Sequence, residues 1–335
     1  MKVCVVGAGA IGGYMAVRLA IAGNDVSAVA RGPHLAAIRA NGLRLIEIDQ
    51  ELVAENLRAT DRITDLGRQD VVLLALKAHQ IEAVVDELPT LIGAETVIVT
   101  LQNGIPWWYF QKLGGEYADR VVRTVDPRGI LFNRIDPDRV IGCIAYPAAT
   151  IIEPGVIQHI EGNRFPVGEL DGSESTRVQM IYKSLTEAGF KSRVLDDIRS
   201  EIWLKLWGNL TFNPISALTH STLVDICQFP LTRNLASAMM GEAQIIGESL
   251  GARFRVPMEK RIAGAEGVGK HKTSMLQDLE VGKPMEIEGM LGVVIELAEI
   301  TGVDVPTLRA LYACVSLLDQ TVRQENIRIK GEQLD

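Results

Sequence analysis

Long apolar runs and clustered cysteines are both missing from this 335-residue chain. No apolar stretch reaches the roughly 18–20 residues that a membrane-spanning helix needs. Glycines interrupt the first apolar stretch, so no unbroken core for a signal peptide is present. The four cysteines, Cys4, Cys143, Cys227 and Cys314, show no C-x-x-C spacing. We therefore expect a cytoplasmic protein whose thiols are reduced and buried, without a zinc site or a disulfide framework.

A surplus of positive charge is missing as well. The chain has 34 Lys and Arg against 42 Asp and Glu, a formal net charge of −8, which argues against a nucleic-acid surface. Hydrophobic residues make up 47% and charged residues 23%, so a sizeable core is available, which argues against global disorder. The length favours two domains. We therefore expect a folded two-domain protein with neither a nucleic-acid nor a membrane partner.

Short apolar stretches alternate with helical ones over the first half of the chain. Strands are predicted at Lys2–Val6, Asp25–Ala30, Val71–Lys77 and Thr96–Gly104. Near-continuous apolar strands of this kind are typical of a parallel sheet covered on both faces. Between residues 141 and 168, Pro/Gly turns indicate further strands with an antiparallel arrangement. Beyond residue 197 the spacing predicts helices, at 198–213, 232–250, 275–282, 285–301 and 306–322.

The first strand is followed by a glycine motif, G-x-G-x-x-G, formed by Gly7, Gly9 and Gly12. Because it follows a strand and opens a helix, the motif indicates a dinucleotide site. Its first glycine permits a tight turn, its second admits a pyrophosphate to the backbone, and its third allows close helix–strand packing. The predicted cofactor contacts along this loop are Gly7, Ala8, Gly9, Ala10, Ile11 and Gly12. The alternative is a glycine-rich turn without a ligand.

These observations together predict the fold class. We expect an α/β protein with an N-terminal Rossmann-type parallel-sheet domain, residues 1–197, that binds the cofactor. An all-helical C-terminal domain, residues 198–335, is expected to carry the substrate and catalytic residues. The apolar character of that helical domain is compatible with a homodimer.

The end of the second strand indicates which dinucleotide is bound. NAD-selective folds commonly place Asp or Glu there to bind the ribose 2′-hydroxyl. This chain has Arg31 instead, and Asp25 stands at the start of the strand. A guanidinium suits a 2′-phosphate because it offers paired, charge-assisted hydrogen bonds. The sequence therefore predicts NADP(H) rather than NAD, unless Arg31 is only a solvated surface residue.

Two further polar residues follow predicted strands. Lys77 ends the third strand and Asn103 the fourth. Ligands of open parallel sheets gather at the carboxyl ends of the strands. We expect Lys77 beside the cofactor, and Asn103 beside the nicotinamide ribose or the substrate. The alternative for each is an ordinary polar residue at a strand end.

The stretch "IWLKLWGNLTFNP" is almost entirely apolar, yet Lys205, Asn209 and Asn213 recur every fourth residue. On a helix they form one narrow polar stripe. A helix that is apolar nearly all round is buried, so the stripe must face polar partners or a wet cleft. Pro214 is expected to end the helix at Asn213. A lysine suits carbonyl reduction because an ammonium group polarises the ketone and protonates the resulting alkoxide. The alternative is a structural network between the two domains.

A second polar cluster lies in "KTSMLQDLEVGKPMEIEG". Ser274 is expected to cap a helix, with Gln277 at the reciprocal capping position, and the helix N-terminus suits a substrate carboxylate. Glu286 is expected to open the next helix and to orient Lys205 or to bind the cofactor or the substrate. The alternative is an ordinary cap and a first-turn acid.

The chain resembles the ketopantoate reductase (2-dehydropantoate 2-reductase) family over nearly its whole length. The segments that carry the resemblance are "GAGAIGG", "ARG", "LKAHQ", "LQNG", "KLWGNLTFNPISALT" and "SMLQDLEVGKPMEIEG". The resemblance implies NADPH-dependent reduction of 2-dehydropantoate, a small 2-oxo acid, to (R)-pantoate in pantothenate synthesis.

The resemblance also implies a role for individual residues. Lys205 matches the proton-donating lysine, and Glu286 matches the glutamate near the cofactor and that lysine. The substrate-binding positions are matched by Asn103, Lys205, Asn209, Asn213 and Ser274, with Asp278 one turn after the serine. The cofactor-side positions beyond the glycine loop are matched by Arg31, Lys77, Gln80, Asn103, Ala149 and Glu286.

Two departures from the family pattern bear on the substrate. Leu223 stands where the family has a further substrate asparagine, and Ser221 or Thr222 are the candidates to compensate. Trp107 and Trp108 follow Asn103-Gly104, where they either pack in the core or line a site for a bulkier 2-oxo acid. Two alternatives to a ketopantoate reductase therefore stand: a reductase of another 2-oxo acid on the same fold, and a non-catalytic NADP-binding sensor.

Overall fold

The computed structural model describes residues 1–331, apart from the side chains of residues 78 and 79. Its residues form two compact units. The sheet unit consists of Met1–Val121 and Asp126–Ile198, and the helical unit consists of Val122–Val125 together with the chain from Arg199 onward. The predicted fold class, a parallel-sheet domain followed by a helical domain, is confirmed. Residues 332–335 of the predicted second domain lie outside the described residues.

The sheet unit contains eleven strands and five helices within its described residues. The strands are β1 (Lys2–Val6), β2 (Asp25–Val29), β3 (Leu43–Ile46), β4 (Glu51–Ala54), β5 (Arg58–Thr60), β6 (Gln69–Leu74), β7 (Ile92–Thr100), β8 (Val140–Cys143), β9 (Ala148–Glu153), β10 (Val156–Glu161) and β11 (Val167–Glu169). The helices are α1 (Ala10–Ile21), α2 (Gly32–Asn41), α3 (Ala78–Ile81), α4 (Ile130–Arg134) and α5 (Thr176–Glu187). Short 3₁₀ turns lie at Ile63–Asp65, Glu82–Val84, Leu88–Leu91 and Pro137–Arg139.

The strands of this unit form two sheets. The larger has the order β11-β8-β7-β6-β1-β2-β5, and its neighbouring strands run parallel except for the antiparallel pair β8–β11. The smaller has the order β4-β3-β10-β9, with antiparallel β3–β4 and β9–β10 pairs and a parallel β3–β10 pair. Since β1, β2, β6 and β7 are parallel, the loops that follow them leave the same edge of the larger sheet.

Helix α1 contacts strands of both sheets, β1 and β2 in the larger one and β3, β4, β9 and β10 in the smaller one. Its sequence, AIGGYMAVRLAI, is apolar almost all round, as expected for a helix buried on several sides. Tyr14, Met15, Ala16 and Val17 are at most 1% exposed. These contacts hold α1, which directly follows the glycine loop, against both sheets.

The prediction for residues 141–168 was partly wrong. β9–β10 and β8–β11 are antiparallel, but β8 extends the parallel sheet beside β7. Strands β3, β4 and β5 were not predicted, because they are only three or four residues long and only partly buried, so that no run of apolar residues marks them.

The helical unit contains α6 (Ile198–Thr219), which starts at the junction of the two units, α7 (Leu223–Gln228), α8 (Pro230–Ser249), α9 (Met258–Gly267), α10 (Ser274–Val281), a π-helical turn (Glu288–Gly292), α11 (Val293–Thr301) and α12 (Pro306–Glu325). Pro214 does not end α6, contrary to the prediction, because the helix continues through it. An internal proline costs about 3 kcal/mol. The residues beyond it offset this cost by burial, since Ile215, Ser216 and Ala217 are at most 1% exposed.

The cysteines follow the prediction with one exception. Cys4, Cys143 and Cys227 are buried free thiols, but Cys314 is exposed on α12. No group of His, Cys, Asp and Glu side chains suited to a metal ion occurs among the described residues. No helix in that part of the chain combines the length and the apolar character that crossing a membrane requires.

Candidate active site

Two glycines of the G-x-G-x-x-G loop are required by the fold itself. Gly7 has a φ of +102°, and a Cβ atom there would lie 2.8 Å from a methyl carbon of Leu76. A Cβ atom on Gly12 would lie 2.1 Å from the carbonyl oxygen of Gly7 and 2.8 Å from the Cβ atom of Ala75. The backbone conformation therefore demands the first glycine, and the close approach of α1 to the loop demands the third.

Gly9 is different, because nothing in the protein requires a glycine there. Its φ of −70° suits any residue, and a Cβ atom would meet no atom within 4 Å. Gly9 is also the N-cap of α1, so no side chain caps the helix, and no acidic residue occupies its first turn. Free N–H groups at a helix N-terminus bind anions. The open space at Gly9 and the uncapped helix end together suit the approach of a phosphate.

A cavity of about 400 Å³ adjoins the glycine loop inside the sheet unit. Five of the predicted cofactor contacts line it, namely Gly7, Ala8, Gly9, Arg31 and Gln80. Its remaining lining residues are Val6, Val29, Ala30, His34, Leu76, Ala83, Val84 and Ile151. The structure thus brings the glycine loop and the end of β2 together around one largely apolar space.

Arg31 is exposed and directly precedes α2. Its side chain forms no hydrogen bond or ion pair with any residue that the structure describes. The guanidinium at the cavity is therefore available to an anionic ligand.

The other predicted cofactor residues of the sheet unit do not line the cavity. Ala10 and Ile11 form the first turn of α1 without lining the cavity. Lys77 lies three residues beyond β6, and its backbone N–H donates to Oε1 of Gln80 at 3.2 Å. Asn103 similarly follows the end of β7.

Ala149 is a residue of the smaller sheet. It belongs to β9, where it pairs with His159, and it packs against the hydrophobic core. It does not line the cavity.

His34, which lies one turn after Arg31 at the start of α2, was not predicted as a site residue. Its Nε2 atom lies 2.8 Å from the carbonyl oxygen of Ala8, and the N–H of Gly155 donates to its Nδ1 atom at 3.0 Å. An Arg-x-x-His spacing was the only sign in the sequence. The partner in the β9–β10 turn is remote along the chain and could not be read from it.

In the helical unit, α6 carries its polar stripe beside a fully buried apolar one. Trp203, Leu206, Trp207 and Leu210 are at most 1% exposed, and the indole N–H of Trp207 donates to the carbonyl oxygen of Met240 at 2.7 Å. Lys205 and Asn209 are only half-buried, whereas Asn213 is 5% exposed. The polar side of α6 is thus accessible at its lysine end and enclosed at its proline end.

Asn213 contacts the segment that follows Glu286. Its Nδ2 atom lies 3.5 Å from the sulfur of Met290, which belongs to the π-helical turn Glu288–Gly292. Such turns are rare and often mark functional sites. Glu286 itself lies two residues before this turn, so the prediction that it opens a helix was wrong. The residue spacing of the sequence does not reveal the π-helical turn.

Ser274 was also misassigned as a helix cap. The N-cap of α10 is Thr273, whose hydroxyl accepts from the N–H of Leu276 at 3.4 Å, and Ser274 is the exposed first helical residue. Gln277 therefore does not complete a capping box; its side chain donates to the carbonyl oxygen of Lys272 at 2.9 Å. Because Ser274 is not used as the cap, its exposed hydroxyl is available at the N-terminus of α10.

The structure decides between the two interpretations of the tandem tryptophans. Trp107 and Trp108 are 1% and 2% exposed. The indole N–H of Trp108 donates to the hydroxyl of Thr100 at 3.0 Å, and its ring covers Gly142, where a Cβ atom would lie 3.0 Å from it. They are core residues, as the first alternative held.

The segment around Leu223 has a structural role of its own. Leu223 is the half-buried first residue of α7, and the Thr222 hydroxyl donates to Asp225 in a capping box. This bond and the one from the Thr222 N–H hold the pKa of Asp225 below its usual value. The Thr222 hydroxyl is thus committed to the helix start and is poorly suited to replace an asparagine.

Comparison with known proteins shows the family to which the chain belongs. Residues 3–172 match the family model described as ketopantoate reductase PanE/ApbA, and residues 197–319 match the model of its C-terminal part. The chain belongs to the ketopantoate reductase family. A 2-dehydropantoate 2-reductase from Mesorhizobium japonicum is 53% identical over 319 residues, which cover 95% of this chain and 98% of that one. Another, from Archaeoglobus fulgidus, is 27% identical and covers 94% and 96%.

Solved structures agree with this family. A structure from Ralstonia solanacearum MolK2, assigned as a ketopantoate reductase, is 38% identical with a TM-score of 0.91, and the match covers 96% of this chain and 98% of that one. As a ketopantoate reductase family member, the chain is an oxidoreductase, and its family is one of NAD(P)H-dependent enzymes. The predicted enzyme class is therefore confirmed.

Proposed function

We propose that this ketopantoate reductase family member reduces 2-dehydropantoate to (R)-pantoate with NADPH. The 53% identical relative that carries the name 2-dehydropantoate 2-reductase supports the substrate. The choice of NADPH is supported by the cavity at the uncapped N-terminus of α1, which is open at Gly9 and bordered by Arg31. The domain roles follow: residues 1–197 hold the cofactor, and residues 198–335 supply the catalytic and substrate-binding residues.

The residues at the cavity fit a phosphorylated dinucleotide. The first turn of α1, from Ala10 to Gly12, presents free N–H groups to the pyrophosphate, and Gly9 leaves room for it. Arg31 pairs with the 2′-phosphate. On the same side of the sheet, Lys77, Gln80 and Asn103 are proposed cofactor contacts, with Ala149 and Glu286 as further ones.

Lys205 is the proposed proton donor. A hydride, which NADPH would supply when bound, adds to the ketone carbon of the substrate and leaves negative charge on the oxygen. The Lys205 ammonium stabilises this charge and then donates its proton to the oxygen. Its place on a half-buried stripe suits the role, because a group kept partly from water interacts more strongly with a developing charge.

The other proposed substrate contacts are neutral polar side chains. Asn209 and Asn213 extend the same stripe of α6 and offer neutral amide groups to substrate oxygens. Ser274 offers its hydroxyl at the N-terminus of α10, where a carboxylate is favoured. Asn103 is proposed to contact both cofactor and substrate, and Glu286 to position Lys205.

One observation favours a second candidate, a reductase of another 2-oxo acid. Leu223 is apolar where the family has an asparagine, and the neighbouring Thr222 hydroxyl is used by its helix cap. A less polar substrate would suit that position. The burial of both tandem tryptophans removes the other argument for this candidate.

Steady-state kinetics of the purified full chain test the proposal. Oxidation of NADPH is followed with 2-dehydropantoate, with a panel of other 2-oxo acids, and without substrate. The highest kcat/KM is expected for 2-dehydropantoate, whereas a higher value for another 2-oxo acid supports the second candidate. If no acid is turned over although NADPH binds, the chain is the non-catalytic sensor.

Lys205 is tested separately. Lys205→Ala should lower kcat at least about 100-fold, the range typical of general acid catalysis, and leave the NADPH Kd within about twofold. The exposed Lys260→Ala variant on α9 is the matched control. Unchanged turnover of Lys205→Ala removes the lysine from the mechanism. The homodimer stays a prediction, which sedimentation of the same protein tests.

A further inference from the structure

His34 contacts two segments that adjoin different sheets, namely the glycine loop after β1 of the larger sheet and the β9–β10 turn of the smaller one. It lies in the first turn of α2, between the glycine loop and the turn of the β9–β10 hairpin. Since the Gly155 N–H is the donor to Nδ1, this nitrogen carries no proton. The proton then lies on Nε2, which donates to the carbonyl oxygen of Ala8. One neutral imidazole therefore holds both the hairpin and the loop.

The hairpin turn lies closely on α2. Gly155 has a φ of +80°, and a Cβ atom there would lie 3.0 Å from the Cβ atom of Ala37. Its carbonyl oxygen accepts from the N–H of Arg44 at 2.9 Å. The turn is thus bonded to β3 on one side and to His34 on the other. Together with the pairing of β10 to β3 and to β9, these bonds hold the turn that directly follows β9.

One of those residues, Ile151, lines the cavity beside the glycine loop, together with Ala83 and Val84. It is 41% exposed, which is high for an isoleucine. The next residue, Ile152, is 48% exposed and does not line the cavity, because successive side chains of a strand point to opposite faces. An exposed isoleucine at the wall of a ligand-sized cavity gains burial when an apolar group enters.

We propose that the β9–β10 hairpin is a wall of the dinucleotide site and that His34 is the positioning residue that holds it there. The apolar surface of Ile151, Ala83 and Val84 takes a planar base, the adenine of the cofactor, while the charged parts lie toward Arg31 and the start of α1. The inference rests on the proposed function, because it assumes that the dinucleotide occupies this cavity. It adds a second residue of β9, Ile151 beside Ala149, to the proposed cofactor contacts and identifies the side chain that holds this strand.

Two conservative variants of His34 separate its two bonds. In His34→Asn the amide oxygen takes the place of Nδ1 and keeps the acceptor for Gly155. In His34→Gln the amide nitrogen takes the place of Nε2 and keeps the donor to Ala8. Equilibrium titration of the full chain with NADPH, followed by cofactor fluorescence, should give a Kd near wild type for Asn and a Kd at least fivefold higher for Gln and Ala. The kcat at saturating NADPH should change less than twofold in all three.

Ile151→Ala and Ile152→Ala form a matched pair on one strand. The first should raise the NADPH Kd at least threefold and the second should leave it unchanged. Hydrogen exchange of the hairpin in the absence of cofactor should be faster in His34→Gln than in His34→Asn.

The outcomes separate this inference from the proposed function. If wild type binds NADPH but the His34→Gln and Ile151→Ala variants bind it equally well, the hairpin is not part of the site and the inference fails alone. A loss confined to His34→Asn overturns it too, because the loop bond would then matter and the hairpin bond would not. If wild type binds no NADPH, the proposed function fails, and the inference falls with it.

Discussion

Replacing Gly9 with alanine separates the requirements of the fold from those of the ligand. At the N-cap of a helix, alanine is less favourable than glycine by up to about 1 kcal/mol. Alanine at a compatible φ also gains about 0.4–1 kcal/mol through the unfolded state, and the φ of −70° is compatible. With no atom within 4 Å of the new methyl group, the two effects nearly cancel. We expect the Tm of Gly9→Ala to change by less than about 4 °C.

Cofactor binding should respond very differently. The new methyl group occupies the open space through which a phosphate reaches the N–H groups of α1. Loss of one charge-assisted hydrogen bond costs about 1.5–3 kcal/mol, which corresponds to a roughly 10- to 150-fold higher NADPH Kd. Thermal unfolding and fluorescence titration of the same preparation measure both quantities.

Gly12→Ala is the matched control, since its methyl group would lie 2.1 Å from the carbonyl oxygen of Gly7. Such overpacking costs about 1–3 kcal/mol or more, so this variant should lose both thermal stability and binding. If Gly9→Ala binds NADPH as tightly as wild type, the glycine is not reserved for a ligand and the cofactor assignment loses its main support. A large loss of stability in Gly9→Ala would show instead that the fold needs this glycine.

Three further changes test other parts of the structure. Arg31→Ala should raise the NADPH Kd about 10- to 100-fold and the NADH Kd less than about threefold, and equal losses contradict a 2′-phosphate role. Burial raises the pKa of Cys4 from 9.0 to about 12, so the unfolded thiol ionises first and stability should fall by about 1.4 kcal/mol per pH unit above about pH 9. Denaturant unfolding should show a shallower alkaline loss for Cys4→Ala, and an identical slope refutes this. Glu296 accepts two backbone N–H bonds from Val122–Val125, at 2.7 and 2.6 Å. Glu296→Gln should therefore cost about 1–3 kcal/mol of unfolding free energy, while the exposed Glu299→Gln on the same helix should cost almost nothing.

The features that could be predicted from the sequence are local ones. The order β1, α1, β2 follows from an apolar strand, a glycine turn and a helical period that all lie within residues 2–29. The polar stripe of α6 likewise needs only the spacing of its residues. The place of Arg31 beside the cavity could be predicted because its position after β2 is defined by the chain itself.

The features that could not be predicted depend on packing between distant segments. The continuation of α6 through Pro214 results from burial of the residues beyond it, which outweighs the local preference of proline. The contact of His34 with Gly155 spans 121 residues of sequence. Glu286 lies before a π-helical turn and not at the start of a helix. Such a turn has no characteristic residue spacing by which the sequence could predict it.

The four residues Val122–Val125 give the chain an interleaved architecture. The polypeptide leaves the sheet unit, contributes a short stretch to the helical unit, and returns before its last departure at residue 198. A chimaeric protein in which two relatives exchange all residues after 198 would therefore take most of its helical unit from one parent. The four-residue insert Val122–Val125 of that unit would come from the other parent. Such chimaeras should tolerate the exchange only when the graft brings this insert along with the helices that receive it.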